Sequence, residues 1–512
     1  MPAMFTRIFS AALWGIESIP VEVETDVSPG LPSTRVVGLP DAAVKESLHR
    51  VSSSLKNCGF SLPLGKLTIN LAPADLKKEG PIFDLPIALG ILQASGQVGS
   101  SEESADCWAI GELALSGKIR GIKGILPFVA KAKEKKARKV ILPKENALEA
   151  QIIPGVAICP VEDLKEAVQA WTSAPQKPLA ASPSFEPAKN ALEKDFSEVK
   201  GQESVKRAIE IAVSGFHNLL LIGPPGGGKS MLAQRIPTIF PPLSLEEAIE
   251  VTNIHSAAGK IKPGEGLITA RPFRCPHHSS TEAGIIGGGN PPRPGEASLA
   301  HHGVLFLDEL PEFRRNALEA LRQPLEEGKI TLCRAKFSVQ FPARFMLVAA
   351  MNPSPSGRAQ DYQAGRCSFA QTQKYLNKVS GPLLDRIDLH IEVPKPDPKL
   401  LMEKKQAESS ASIAQRITEA RAIQHRRFKD ISLLLTNGKM GPKEIERFCE
   451  LSSSASLLLS QALEELGFSA RAYGKILKVA RTISDLAGKE KIEEEAILEA
   501  ISYRTLDRQY WT

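Results

Sequence analysis

The chain has 512 residues, 42% of them hydrophobic and 24% charged, with a formal net charge of +6. This is ordinary globular composition; it excludes a disordered or fibrous chain, and the length suggests roughly three domains at ~100–200 residues each. The charge surplus is too small to demand a nucleic-acid partner and permits one only where basic residues cluster. Seven cysteines are scattered singly without a CxxC pair, which argues against a disulfide framework or zinc finger and fits a reducing compartment. No apolar run reaches the ~18–20 residues that span a bilayer, and no secretion signal is recognisable, so a soluble, cytoplasmic protein without a membrane partner is expected.

In chain order, Val21–Val27 alternates as a strand does, and Thr34–Val37 is short and β-branched. Asp41 is placed to cap a helix running to about Asn57, with Ala43, Val44, Leu48 and Val51 on one face. Lys66–Leu71 reads as a strand, Leu85–Leu92 as a helix start after Gly80-Pro81, and Val140–Leu142 as a buried strand ended by Pro143. Ser173 to Asn190 holds four prolines and many small residues, which predicts a linker, 173–190, closing a first domain at 1–172. In 191–396 a helix over Lys206–Val213 precedes short apolar strands at Asn218–Ile222, Val304–Leu307 and Phe345–Ala350. Buried strands alternating with helices predict a parallel α/β sheet. Residues 397–512 read as wholly helical, as in Ile413–Phe428, Ala455–Leu466 and Arg471–Leu486.

Gly223-Pro224-Pro225-Gly226-Gly227-Gly228-Lys229-Ser230 fits G-x-x-x-x-G-K-[ST] at every fixed position, between a strand and a helix. In such a loop glycines let backbone amides converge on phosphate, the lysine reaches the β- and γ-phosphates, and the serine hydroxyl meets Mg²⁺. Val304–Leu307 then ends in Asp308-Glu309. Asp308 would hold Mg²⁺ and Glu309 would polarise the attacking water. Asn352, ending the next strand, could orient that water. Arg386, among acidic residues, could act as a finger in a neighbouring subunit's site, or could be a plain Arg–Asp surface pair. Arg471 opens a late amphipathic helix from which a cation could reach nucleotide, or remain solvated.

Ile330–Gln340 reads as a hairpin with Arg334, Ala335 and Lys336 near its turn, and the stretch between Ile254 and Gly289 carries Lys260, Lys262, Arg271 and Arg274. These six cations could track a nucleic-acid backbone, the alternative being solvated turn charges. His277-His278 and His301-His302 invite a metal reading, but adjacent histidines rarely converge on one ion, and neither pair is taken as a ligand set.

Taken together the motifs resemble those of the magnesium-chelatase-like AAA+ ATPases of the YifB/ComM competence family, over essentially the whole chain. The segments that carry the likeness are Gly38–Asp41, Leu71–Asp75, Asp84–Ala88, Arg271–His278, Gly287–Gly289, Pro292–Glu296, Gly303–Phe313, Ser380–Asp388, Ser469–Tyr473 and Tyr503–Arg508. The resemblance implies an N-terminal α+β domain like that of Lon proteases and ribosomal protein S5. It implies a P-loop AAA+ core with an insertion in its second helix, followed by a helical lid. It assigns Asn352 to sensor 1, Arg386 to the arginine finger and Arg471 to sensor 2, and places Asp195–Gln202 at the adenine pocket. ATP and Mg²⁺ as cofactors, a homohexameric ring, and single-stranded or branched DNA moved during recombination or natural transformation also follow from it.

Two departures from the family pattern matter. Lon-type proteases carry a nucleophilic serine after Gly-Pro, whereas Ile82 follows Gly80-Pro81 here and has no nucleophilic atom. Many relatives carry a four-cysteine cluster after sensor 1; here the corresponding run is Asn352–Gly357 and only Cys367 remains, so no zinc is expected. A DNA motor is therefore the expected function. A chelatase-type motor driving a partner enzyme, an ATP-dependent protease and a non-hydrolysing switch are the alternatives.

Overall fold

The computed structural model describes residues 5–99, 106–174, 194–262, 264–334, 337–355, 368–396, 407–432, 435–466 and 470–506. All but two residues of the expected linker, 173–190, lie outside them, as do Ala335, Lys336 and Cys367.

Strands β1 (Phe5–Trp14) and β2 (Glu17–Ser28) form a long antiparallel hairpin in the register Phe5↔Asp26 to Trp14↔Glu17. With β3 (Ser33–Val37), β4 (Lys66–Ala72), β5 (Cys107–Ala109), β6 (Lys139–Pro143) and β7 (Ala157–Val161) they make a mixed sheet ordered β3-β4-β2-β1-β5-β6-β7. Val21, Val23 and Thr25 of β2, and Leu67, Ile69 and Leu71 of β4, are buried in alternation, as a pleated strand requires. Helices α1 (Ala42–Asn57), α2 (Asp84–Ala94) and α4 (Leu164–Thr172) cover one face and α3 (Ile125–Glu134) the other. Helix α1 starts where Asp41 accepts the Val44 amide at 2.8 Å, a cap of the kind worth ~1 kcal/mol. After Gly80 a short 3₁₀ turn, Pro81–Phe83, sets Ile82 against the apolar clusters on both faces.

The second sheet is entirely parallel. Helix α5 (Glu203–Gly215) leads into β8 (Leu219–Ile222). Then come α6 (Lys229–Ile239), α7 (Leu245–Ala257), β9 (Phe273–Arg274) and β10 (Val304–Leu307). These are followed by α8 (Arg322–Glu327), the hairpin β11 (Lys329–Arg334) and β12 (Phe337–Pro342), then β13 (Met346–Met351) and β14 (Leu389–Glu392). The order is β9-β10-β13-β8-β14, with Leu219 opposite both Val348 and Leu389. Leu219 and Leu221 face one core, Leu220 and Ile222 the other, so the sheet is buried on both sides and its strands read as continuous apolar runs.

The C-terminal helices include α9 (Ser410–Phe428), α10 (Ser453–Leu466), α11 (Ala470–Leu486) and α12 (Glu494–Ser502). Ile413, Ile417, Ile476, Leu477 and Ile497 belong to the same cluster as Leu219, Leu221 and Phe306 of the parallel sheet. The N-terminal part docks by the tip of its β1–β2 hairpin. Trp14 and Ile16 pack against the cluster on the sheet's other face, and Asn253 of α7 donates to the Ile16 carbonyl at 3.3 Å.

Candidate functional site

Strand β8 delivers the chain to Gly223, where a Cβ would lie 2.2 Å from the Val393 carbonyl oxygen; only glycine fits so close an approach. Gly226 and Gly228 then take φ of +79° and +85°, turning the loop back onto the N-terminus of α6. The first amides of that helix have no intrahelical acceptor and, with the helix dipole, form a cradle for an anion.

Lys229, the first residue of α6, is buried and donates to the carbonyls of Gly223 at 2.6 Å and Pro224 at 3.1 Å, and to Asn352 Oδ1 at 3.0 Å. Burial pushes its ammonium below the usual lysine range, and the charges of Asp308 and Glu309 push it part of the way back. Ser230 donates to Asp308 Oδ2 at 2.6 Å. Parallel pairing explains this convergence, since β8, β13 and β10 all end on the same edge and bring the loop, Asn352 and Asp308-Glu309 together. Glu309 adopts φ +54°, the left-handed region that costs a non-glycine residue ~1–3 kcal/mol and tends to persist at functional positions.

Two neighbours of this site were named from sequence for other reasons, Gln202 within the segment expected at the adenine pocket and His278 within a histidine pair weighed as a metal ligand. Gln202, in the Asp195–Gln202 segment, donates from Nε2 to the Gly227 carbonyl at 2.7 Å and to Pro394 at 3.0 Å, tying that segment to the phosphate loop. His278 Nδ1 lies 3.5 Å from Glu309 Oε2. The register Arg274↔Leu305, carried forward past the strand ends, sets those two residues side by side. A signal existed in the equal spacing from Phe273 to His278 and from its partner Val304 to Glu309, but it needs the strand pairing to be read.

Arg386 and Arg471 lie elsewhere. Arg386 precedes β14, so it sits at the edge of the sheet opposite the phosphate loop; its carbonyl accepts from Asn218, which precedes β8. Its guanidinium engages Glu326 of α8 and the Pro382 carbonyl. The sequence alternative, pairing with Asp385 or Asp388, is not what forms. Asp385 lies 3.6 Å from Arg471, and Asp388 meets Lys475. Arg471 is therefore beside the Arg386 segment rather than beside its own phosphate loop, with 70% of its side chain exposed.

Of the six cations read as nucleic-acid contacts, two are consumed within the chain. Arg271 is held by Glu247 at 2.9 Å and by the carbonyls of Pro241, Pro242 and His302, and Arg274 forms a bidentate pair with Glu296 at 2.6 and 2.8 Å. Their nitrogens anchor the insertion to the core, which spacing alone could not reveal. Lys260 and Lys262 are exposed. Arg334 ends β11, and Lys336 lies outside the described residues.

The histidine pairs differ from each other. The rings of His277 and His278 lie 4.0 Å apart between centroids, tilted by 35°. His301 and His302 do converge, against expectation, because Glu250 of α7 meets both: its Oε2 lies 2.9 Å from His301 Nε2 and 2.8 Å from His302 Nε2. The three offer a ligand atom each within 4.8 Å of one another. His301 Nδ1, however, accepts the Arg344 amide at 2.9 Å, so in the neutral ring Nε2 carries the proton and donates to Glu250. Burial keeps that ring neutral, with its pKa pushed down to about 4. A ring used in this way presents no lone pair to a metal at Nε2.

Comparison with known proteins assigns the class. Residues 195–401 match the family described as magnesium chelatase, subunit ChlI; residues 23–146 match subunit ChlI of Mg-chelatase, and residues 407–504 its C-terminal region. The chain is 45% identical to the uncharacterized protein YifB of Escherichia coli strain K12 over 98% of its own length and 97% of the relative's. It is 44% identical to the competence protein ComM of Haemophilus influenzae over the same shares. The magnesium-chelatase 38 kDa subunit of Cereibacter sphaeroides is 24% identical over 39% of this chain and 59% of that subunit. The chain belongs to the YifB/ComM family of magnesium-chelatase-like AAA+ proteins, a family of ATPase motors. Among the described residues no helix is long and apolar enough to cross a membrane.

Proposed function

We propose that the chain is one subunit of a ring-forming, ATP-hydrolysing motor that acts on single-stranded or branched DNA. One observation carries the ring. The phosphate loop and the Arg386–Arg471 pair stand at opposite ends of the same parallel strands, separated by β8 and β14, whose paired residues Leu219–Ile222 and Leu389–Glu392 span ~10 Å at ~3.3 Å per residue. A cation at Arg386 serves a γ-phosphate only if that phosphate is bound by another copy, and a closed head-to-tail ring supplies every subunit with one. A hexamer is the size the family resemblance implies.

In this reading residues 1–172 form an S5-like domain, 191–396 the ATPase core and 397–512 the lid, joined by the linker 173–190. Gly223 to Gly228 and Lys229 hold the triphosphate. The Ser230 hydroxyl and the Asp308 carboxylate, already 2.6 Å apart, are the groups to hold Mg²⁺. When bound, Mg²⁺ neutralises charge on the β- and γ-phosphate oxygens. Glu309 takes the proton of the attacking water, and Asn352 orients that water once Lys229 has exchanged its present acceptors for phosphate. Lys260, Lys262 and the β11–β12 hairpin with Arg334 and Lys336 are the candidates for the DNA backbone. The competence name of the Haemophilus relative supports a DNA substrate. A motor driving a partner enzyme, as the chelatase relatives' names suggest, is the second reading. Ile82 in place of a nucleophile opposes a protease.

The test is ATP turnover with and without forked DNA, followed by a branch-migration assay. Turnover rising several-fold with DNA and strand exchange dependent on ATP are expected. Indifference of turnover to every DNA structure would leave the partner-enzyme reading in its place.

A further inference from the structure

The segment that carries Arg386 is held on one side by the C-terminal helices of its own chain and on the other by Asn218, which precedes β8. Helix α11 presents Arg471 and Lys475 four residues apart on one face. Lys475 lies 3.3 Å from Asp388 Oδ1 and donates to the Ile387 carbonyl at 2.9 Å, while Arg504 donates to that same carbonyl at 2.6 Å. From the sheet side Asn218 completes the hold. Its amide nitrogen donates to Asp388 Oδ2 at 2.9 Å, its Nδ2 donates to the Arg386 carbonyl at 2.8 Å, and its Oδ1 accepts the Leu347 amide at 2.9 Å. Lys475 and Asp388 are both nearly enclosed, with side chains 15% and 11% exposed, so this is a built contact and not a surface pair. The side chains of Asp385 and Asp388 and the Ile387 carbonyl thus face the C-terminal helices or Asn218, whereas the Arg386 guanidinium turns toward Glu326 of α8.

We propose that Lys475 is a positioning residue for the arginine finger: through Ile387 and Asp388 it fixes where Arg386 stands, so that movement of the C-terminal helices in one subunit is felt at the nucleotide of the next. This rests on the reading of Arg386 as acting across a subunit boundary. The consequence is specific, because a defect at Lys475 must appear in the neighbour's site and not in the site of the chain that carries it. A lysine that served only its own nucleotide, or only the stability of α11, has no such signature.

The experiment uses full-length variants and phosphate release. Lys475→Met should bind a fluorescent ATP analogue as the wild type does yet turn over at least tenfold more slowly. Mixed with Lys229→Ala, it should regain activity, because Lys229→Ala subunits offer a correctly placed Arg386 to its intact phosphate loop. Mixed with Arg386→Ala, it should regain none. Recovery with Arg386→Ala instead, or undiminished turnover of Lys475→Met alone, would overturn the proposal. Asp388→Asn keeps the side-chain shape and the bond from the Asn218 amide while removing the charge facing Lys475. It should fall in the same complementation group, and it decides the matter if Lys475→Met is insoluble. The control pair Lys229→Ala with Arg386→Ala separates the two levels. If that pair fails to recover in verified mixed rings, the trans-acting finger falls and this proposal with it; if it recovers while Lys475→Met groups with Lys229→Ala, only the role of Lys475 is lost.

Discussion

Three acceptors surround the Lys229 ammonium in the free chain, and phosphate oxygens would compete with them for its protons when nucleotide binds. Lys229→Ala should therefore abolish ATP binding, measured by titration with a fluorescent analogue, since no other described cation lies on the loop. Glu309→Gln removes the proton acceptor but keeps the shape. It should bind ATP normally and turn over ~10²–10⁴-fold more slowly, the usual cost of a lost general base; normal turnover would take that role from Glu309. The sequence shows this site because a phosphate loop is a local backbone device whose residues must be adjacent. It does not show that Arg386 meets Glu326, 60 positions away, or that Arg271 and Arg274 meet Glu247 and Glu296. The same blindness hid Glu250 behind His301 and His302. With His301 Nδ1 already taken by the Arg344 amide and only Cys367 left of the cysteine cluster, purified protein should carry no stoichiometric zinc. Elemental analysis finding one per chain would overturn that tautomer.

At the level of elements, long helices and apolar strands were legible from periodicity, and α1, β4 and α11 lie where the pattern put them. Strand β1 was not, because its buried positions include Ser10, Ala11 and Ala12, which carry little hydrophobic signal. What binds the C-terminal helices to one another is equally hidden. Asp485 of α11 is buried and receives Arg427 of α9 at 2.7 Å, Asn437 Nδ2 at 2.7 Å and Arg481 Nε at 3.1 Å. Asp485→Ala would leave two arginines without their counter-charge, a loss of ~3–5 kcal/mol for a broken buried pair. Urea unfolding should show it, and because these helices share a core with the parallel sheet, ATPase activity should be lost in the same transition. His217, after α5, adds a pH dependence. It is fully buried against Thr482 at 2.8 Å, and burial holds its pKa down at about 4, although Asp388 pulls it up. The unfolded chain, with an ordinary histidine near ~6.5, takes up the proton first. Its contribution is thus complete above ~6.5 and declines toward pH 4 by ~3 kcal/mol. His217→Gln should flatten the stability–pH curve across that window; an unchanged slope would assign the dependence to another group.

At the scale of the whole molecule the fold class was readable, but the way its parts touch was not. One of the contacts by which the N-terminal part reaches the rest of the chain is its hairpin tip, Trp14 to Glu17, whose Gly15 takes φ +69°. A Cβ built there would lie 2.4 Å from Val339 Cγ1 and 3.5 Å from Phe341, both on β12. The hairpin β11–β12, offered above as a DNA contact, is therefore braced at its root by the N-terminal sheet. Leu126 of α3 adds a second tie, its amide donating to Ser256 of α7 at 3.4 Å. Gly15→Ala meets both a left-handed backbone and a clash, and should destabilise the junction by ~1–3 kcal/mol, the range for overpacking a filled contact. Hydrogen exchange should then quicken at Trp14–Glu17 and at Val339–Phe341 together, while the core of α1 and β4 keeps its protection. Val339→Ala removes the clashing methyl group, so the double variant should recover part of the loss, a favourable coupling of ~1 kcal/mol between neighbours in contact. If the brace positions the hairpin for DNA, Gly15→Ala should also lower the stimulation of ATP turnover by forked DNA while leaving turnover without DNA near its starting value. Loss of both rates in parallel would make the junction a matter of stability alone, and loss of neither would show that the hairpin stands without it.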